Sequence, residues 1–429
     1  MDVTPPTPST ASDPPVAPRA DREHAVAVPE VPEVPRTSGG RRSAVLLQAV
    51  ASISTLLQMV VFAMLLGRRD FDDYSVWITV TAFLVGLGQA VGVERVLVGR
   101  RTFAQGLAAA RVLGLAVALA QLAVAVALGN LPLALCSVAV LAYVGWDFAR
   151  FASDVADAAA YLKRDVVVLV LQVAVVAGLS LGDLDRSWLP LAWWGVGAVL
   201  WTWFTVTLGW ARAGTGSGLR SLWEDRREAA PLLLDAALAG VPLVVALALA
   251  RAQGSAGDAS EARLALTLLG PVTVLGLAAR RLVYRRASSG RLDQRGKVVF
   301  AVAVLVVLTT CAVLLALTRT PLYGWVLPGF VGLSWAAVLG FATNHGSLMA
   351  VMLPAAYLRA EGRSTAVGVA RLVATLAGLG TAVLLMPVDS PADVAWSVAA
   401  GSLAYMALMW VLLLARPRPT AAGPTTSIG

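Results

Sequence analysis

Twelve long apolar runs separated by short polar joints leave this chain few ways to fold. They cover approximately residues 44–66, 74–93, 105–128, 131–148, 166–181, 189–208, 230–250, 264–283, 298–317, 331–355, 366–386 and 394–414. Each is close to the ~20 residues an α-helix needs to cross the hydrocarbon core of a bilayer. In lipid every backbone N–H and C=O must be satisfied within the structure, so helices are expected. No recurring alternation of about ten residues points to a barrel. The tenth run is the awkward one. Apolar sequence from Trp325 to Leu358 is too long for one ordinary helix and too short for two, and an interfacial lead-in before a tilted helix is the expected solution. Only 14% of the residues are charged, against about 25% in a soluble domain, which excludes an ordinary soluble enzyme. Two cysteines, Cys136 and Cys311, exclude a disulfide scaffold and read as apolar packing residues.

The arginines test the helix count. Joints assigned to the inside carry Arg41, Arg42, Arg95, Arg100, Arg101, Arg150, Lys163 and Arg164, then the basic groups of 212–227, 280–297, 359–363 and 416–418. The alternate joints hold only Arg68, Arg69, Arg186, Arg251, Arg263 and Arg319, mostly beside acids such as Asp70, Asp72, Asp73, Asp183 and Asp185. This bias alternates through every crossing, and a miscounted helix would have inverted it downstream. It places both termini on the cytoplasmic side of a plasma membrane. Trp146, Trp210 and Trp410 read as interfacial anchors at inner ends, Trp188 and Trp396 at outer ends.

Residues 1–42 form a Pro-, Ser- and Thr-rich tail with no apolar period, expected to be disordered and cytoplasmic. It shows no cleavable signal segment. The joint at 210–229 divides the helices into an N-terminal six-helix lobe (43–209) and a C-terminal one (230–415). A second cytoplasmic tail runs over 416–429. The fold class is all-α: a polytopic membrane protein of about twelve transmembrane helices in two lobes around a central cavity. The outer joints are short, which weighs against an enzyme working on the outer face.

The stretch from Leu65-Leu66-Gly67 through Asp72-Asp73-Tyr74-Ser75 to Trp77 resembles a pattern of oligosaccharide-lipid flippases. There a Leu-Gly joint ends the first helix and Tyr-Gly opens the second. Gly92-Val93-Glu94-Arg95 is similar to the end of that second helix, and Leu268 to Leu275, with Gly270-Pro271, echoes the eighth. Ser75 stands where the pattern favours Gly. The resemblance is to the polysaccharide-exporter branch of the multidrug/oligosaccharidyl-lipid/polysaccharide exporter (MOP) superfamily. It implies an alternating-access cavity and movement of a lipid-linked glycan from the inner to the outer leaflet. It also implies membrane lipids and polysaccharide-assembly proteins as partners, no nucleic acid and no cofactor.

A lipid pyrophosphate head needs cations within a cavity, and intramembrane ionisable groups are the candidates. Arg111 in the third helix and Arg371 in the eleventh approach from the inner side in opposite lobes. Either they grip a pyrophosphate between them or they snorkel to the inner interface. Glu94 and Arg95 end the second helix, as a cavity mouth or as a solvated end. Asp235 lies between Pro231 and Pro242 in the seventh helix. It is either a coupling carboxylate beside a bendable segment or an interfacial acid paired with Arg226 or Arg227. Asn344 and His345, with Gly346, are read as interrupting the tenth helix, lining the cavity or hydrogen-bonded between helices. Asp147, Arg150, Asp154 and Asp157 read as a solvated helix end, with Arg150 pairing to Asp154. Gln48, Gln58, Gln89, Gln121 and Gln172 offer amides either to sugars or to neighbouring helices. No nucleotide loop, metal cluster or nucleophile elbow is present in the sequence.

The expectation is therefore a non-enzymatic flippase for a polyprenyl-pyrophosphate-linked oligosaccharide. The alternatives are a cation-coupled exporter of small molecules, and a polytopic glycosyltransferase or polymerase using Asp70, Asp72 and Asp73. A scaffold that recruits partners through its Pro-rich tail is a further alternative.

Overall fold

The computed structural model describes residues 38–97, 102–152, 158–208, 220, 226–270, 272, 294–317, 319–321, 334–360, 363–385 and 387–415. The N-terminal and C-terminal tails, the linker at 211–219 and the expected interfacial lead-in before 334 lie outside these residues. Among the described residues there are twelve α-helices and no strand. They are α1 (Ser38–Leu65), α2 (Arg68–Leu97), α3 (Phe103–Ala127), α4 (Leu131–Ala152), α5 (Ala158–Ser180) and α6 (Leu189–Thr207). There follow α7 (Arg226–Gln253), α8 (Asp258–Leu268), α9 (Gln294–Leu317), α10 (Trp335–Ala360), α11 (Ser364–Gly380) and α12 (Pro391–Leu414). The twelve-helix, all-α class expected from the apolar runs is the observed one. Seven of the described helices are long and apolar enough to cross a membrane, and the chain is a multi-pass membrane protein.

Local chemistry sets the helix starts. Thr102 and Gln105 form a reciprocal capping box at the head of α3. The Asn130 side chain accepts the Leu133 N–H at 3.1 Å to start α4. Ser390 caps α12, with Pro391 in its first turn, where no N–H partner is needed. The faces turned away from the bundle are apolar: Leu115, Leu119, Leu122 and Val126 on α3, and Val369, Leu372, Val373 and Leu376 on α11 are exposed. These spacings of three and four residues mark one helix face, and lipid is the solvent such a face suits.

Inside the bundle the helices meet through small residues and aromatic rings. A side-chain carbon built on Gly401 of α12 would stand 2.9 Å from the Ala374 carbonyl of α11, so only glycine allows that approach. Helices α1 to α6 pack mainly among themselves, and so do α7 to α12. Contacts between the two sets run from α1 and α2 to α7 and α8. For reference, the end carrying the α1–α2, α3–α4 and α7–α8 joints is called the outer end, as the arginine pattern assigns it.

Tertiary structure corrects several sequence-based expectations. α10 runs unbroken through Asn344 and His345. Both are satisfied without a break: Asn344 accepts from Ser402 on α12, and the His345 ring lies 2.9 Å from the Phe341 carbonyl one turn back. Trp146 is no interfacial anchor but is fully buried. Asp147 and Arg150 are buried too, rather than a solvated helix end, because α5 brings Asp165 against them. Asp154 and Asp157 lie outside the described residues.

Candidate functional site

A cavity of about 440 Å³ lies among α1, α2, α4, α5 and α6, with Arg263, Leu266 and Thr267 of α8 closing one side. That size falls within the usual range for a small-molecule site. Its walls are aromatic, from Tyr143, Trp146, Trp193, Trp194 and Trp201, with Gln58, Gln172, Thr55 and Thr81 interspersed. Trp194 stands edge-on to Tyr143 at 5.4 Å and to Trp77 at 5.3 Å, and its indole N–H points at the Tyr74 hydroxyl (3.4 Å). Such an interlocked set holds ring faces at fixed positions.

Two arginines line this cavity, and they differ in their partners. Arg150 bridges Asp147 on its own helix and Asp165 on α5, at 3.2 Å to the latter. Asp165 also accepts the Trp146 indole N–H at 2.7 Å. Buried charges persist when paired and hydrogen-bonded in this way. Arg263 on α8 is only 8% exposed, and its Nε has no hydrogen-bond partner. Among the described residues no carboxylate pairs with it. An unpaired guanidinium in a membrane interior is costly, and it defines a place where an anion would be stabilised.

The outer end is closed by contacts between the two sets of helices. Asp72, fully buried at the start of α2, accepts the backbone N–H groups of Gly257 (2.7 Å) and Ser260 (2.8 Å) at the head of α8. A carboxylate suits the partial positive charge of a helix start. Gly257 has φ of +108°, a conformation that favours glycine, and this turns its N–H towards Asp72. Beside it Asp73 pairs with Arg251 at the end of α7 (2.5 Å), while Arg69 donates to the Arg251 carbonyl (3.2 Å). Burial pushes the Asp72 carboxyl above the usual carboxylate range, against the opposing pull of the two N–H groups. Next to Ser260, Glu261 accepts the Ser334 N–H just ahead of α10 (2.7 Å), and burial raises its carboxyl as well.

A second ionic group sits among α7, α11 and α12. Arg371 pairs with Asp235 at 3.0 Å, and its guanidinium lies over the Tyr405 ring, 3.6 Å from the centroid. Asp235 thus has Arg371, across helices, as its partner. Arg111 lies partly buried on α3, which packs on α2 and α4, and it is not among the residues lining the cavity. Glu94 and Arg95 fall on the last turns of α2, and their side chains are outside the described residues. So are those of Gln48 and Gln89, whereas Gln58 and Gln172 line the cavity. Cys136 and Cys311 are buried free thiols.

Sequence reading placed Arg263 with the outer joint, because the apolar run begins only at Leu264. The helix actually starts at Asp258, which moves Arg263 more than a turn inside it. Asp72 and Asp73, weighed above as catalytic carboxylates, are engaged in holding helices together. Among the described residues no cluster of potential metal ligands occurs.

No protein-family profile matches the chain, and no curated protein matches it in sequence. Its fold has solved counterparts. It is similar to the lipid II flippase MurJ in an inward closed conformation, with a TM-score of 0.66, 12% identity, and coverage of 87% of this chain and 88% of that one. It is similar to an inward-facing multidrug resistance MATE family transporter of the MOP superfamily (TM-score 0.55, 12% identity, 86% and 97% covered). A MOP superfamily transporter from Pyrococcus furiosus Vc1, with a binding pocket of reverse polarity, also matches (TM-score 0.54, 12% identity, 87% and 93% covered). The chain has the fold of these polytopic transporters, and this accords with the resemblance read from the α1–α2 joint.

Proposed function

We propose that the protein is a transporter, not an enzyme, that flips a polyprenyl-pyrophosphate-linked oligosaccharide from the inner to the outer leaflet of the plasma membrane for cell-surface polysaccharide export. The observation that carries this reading is Arg263: a buried guanidinium with no acid partner among the described residues, on the wall of a cavity in a transporter fold. A cation exporter would be served poorly by an unpaired positive charge there. The fold neighbour named as a lipid II flippase supports an anionic lipid head as cargo.

In this mechanism the outer clamp at Asp72, Asp73 and Arg251 holds the outer end shut while the head enters from the inner leaflet. The pyrophosphate meets Arg263, and opening of the clamp then exposes it to the outside. Arg371 serves as a second cation, released when Asp235 takes up a proton, and Arg111 and Arg95 draw the anionic head towards the inner mouth. Asn344 and His345, expected as cargo contacts, are held by Ser402 and the Phe341 carbonyl and take no part in this mechanism, while Glu94 shares the coupling role of Asp235.

Depleting the protein should leave complete lipid-linked repeat units in the inner leaflet, and Arg263→Gln should fail to restore export at normal membrane abundance. Unchanged lipid-linked glycans on depletion, or full rescue by Arg263→Gln, would refute the proposal. The second reading, export of organic cations, is favoured by the carboxylates Asp147 and Asp165 beside aromatic walls. It predicts that depletion raises cellular retention of ethidium instead.

A further inference from the structure

The aromatic chamber has features that gripping an anion does not require. Gln58 is 94% buried on α1, lines the chamber, and its amide nitrogen has no acceptor among the described residues. A buried donor without a partner is disfavoured unless a ligand supplies an acceptor. On α5, Gln172 gives one of its two amide N–H groups to the Trp193 carbonyl (3.1 Å) and keeps its oxygen as an acceptor. The Thr55 and Thr81 hydroxyls donate back to Ala51 and Trp77 in their own helices, which leaves their lone pairs for incoming donors. Besides the two arginines and the aspartates beside Arg150, the wall thus offers the Gln58 and Gln172 amides and the Thr55 and Thr81 oxygens, donors and acceptors together, set between ring faces.

From these we infer that the chamber is a saccharide subsite, which takes one or two sugar rings of the transported head with Gln58 as a contact that selects for ring oxygens. Sugar hydroxyls both donate and accept, so they match mixed donors and acceptors, and the C–H faces of a pyranose pack on indole and phenol rings. A flat apolar cation would match the rings but leave Gln58 unsatisfied. The chamber volume of about 440 Å³ suits a short head and not a long oligosaccharide. Arg263 lies towards the outer end of the chamber, and the Asp147–Arg150–Asp165 group towards the inner end. Asp72 and Asp73 bring Ser260 and Asn130 to one level, and from that level Asp147 lies roughly 20 Å of helix rise deeper than Arg263. A phosphate at Arg263 therefore leaves the sugar beside Trp194, Tyr143 and Gln58. The inference rests on the transport reading for its cavity but not on the anion.

The test uses the full chain in lipid nanodiscs, with intrinsic tryptophan fluorescence read during titration with glucose 1-phosphate, maltose, maltohexaose and tetraphenylphosphonium. Saturable quenching is expected with glucose 1-phosphate and with maltose, and maltohexaose should gain nothing over maltose. Gln58→Leu should weaken both sugars about tenfold while leaving the melting temperature unchanged or higher, since the amide nitrogen has no hydrogen-bond partner among the described residues. Arg263→Gln should bring glucose 1-phosphate down to the level of maltose and leave maltose unaffected. If Arg263→Gln changes nothing while Gln58→Leu still weakens maltose, the anion reading fails and the sugar subsite stands. Saturable quenching by tetraphenylphosphonium alone, or by none of the probes, overturns the subsite.

Discussion

Asp72→Asn tests whether the outer clamp sets the conformational equilibrium. The Asp72 carboxylate accepts two backbone N–H groups at the head of α8, from Gly257 at 2.7 Å and Ser260 at 2.8 Å. Hydrogen bonds to a charged group are worth about 1.5–3 kcal/mol each. An asparagine of the same shape keeps one neutral acceptor and presents its NH₂ to the other N–H, so one bond is lost and one weakened. The closed state should lose roughly 2–4 kcal/mol relative to the outward-open state, since an opened α8 head reaches water in either protein. At 1.4 kcal/mol per tenfold, the closed-to-open ratio falls about 30- to 1,000-fold. Spin labels at Leu181 and Thr320, both exposed at the outer end, would report it by pulsed dipolar spectroscopy after Cys136→Ala and Cys311→Ala. The distance distribution should move to a longer, outer-open component in Asp72→Asn but not in Asp70→Asn. An unchanged distribution in a protein of normal melting temperature would refute the clamp.

Four further outcomes follow from the charged groups. Arg263→Gln removes an unpaired buried charge, so the melting temperature should rise while glycan export falls, and a fall in both would mean the arginine is structural. Asp235→Asn and Arg371→Gln should couple by about 1–3 kcal/mol in a double-mutant cycle on thermal stability, and additive effects would show that the ion pair contributes nothing. Arg150→Met leaves Asp147 and Asp165 facing each other unneutralised and should cost about 3–5 kcal/mol, largely recovered when both aspartates are also replaced by asparagine. For pH the sign follows from Asp72. Its carboxyl is raised in the closed clamp and, once protonated, unlike an amide, keeps acceptor capacity towards both N–H groups, so closure takes up protons, acid favours closure, and the closed population falls as pH rises from the ordinary carboxylate value through the raised one. The same label pair should show this trend, and Asp72→Asn should weaken it, with the remainder due to Asp73 and Glu261, whose carboxyls burial also raises.

The helices were legible because lipid tolerates so little else: an apolar run of about 20 residues has one solution, and the described part of each run is helical. What sequence missed were polar groups satisfied by a different helix. The spacing of the α4 charges suggested Arg150 pairing to Asp154, but nothing in α4 announces that Asp165 of α5 joins Asp147 around Arg150 and buries the group. Asn344 and His345 looked like a break because polar residues in lipid need partners, and those partners proved to be Ser402 and a carbonyl of the same helix. Asp235 was legible as a charged residue of interest. Its pairing across to Arg371 was not, since the two are 136 positions apart.

The head of α8 shows why the clamp and the cargo site belong to one device. Within two turns this helix carries Gly257 and Ser260 held by Asp72, Glu261 held to Ser334 ahead of α10, and Arg263 on the cavity wall. Ser260 and Arg263 are one turn apart, about 5 Å of rise, and a helical turn moves as a rigid unit. Releasing the α8 head from Asp72 therefore displaces the Arg263 guanidinium with it, and any anion bound to that guanidinium feels the state of the clamp. Linkage makes this reciprocal: an anion that binds Arg263 better in one clamp state must favour that state by the same free energy. The polar start of α8, which the hydropathy pattern passes over, is thus the segment where cargo charge and gate position are coupled. An Arg263→Gln protein should open and close with an equilibrium indifferent to glucose 1-phosphate, whereas the parent protein's label distances should shift with it.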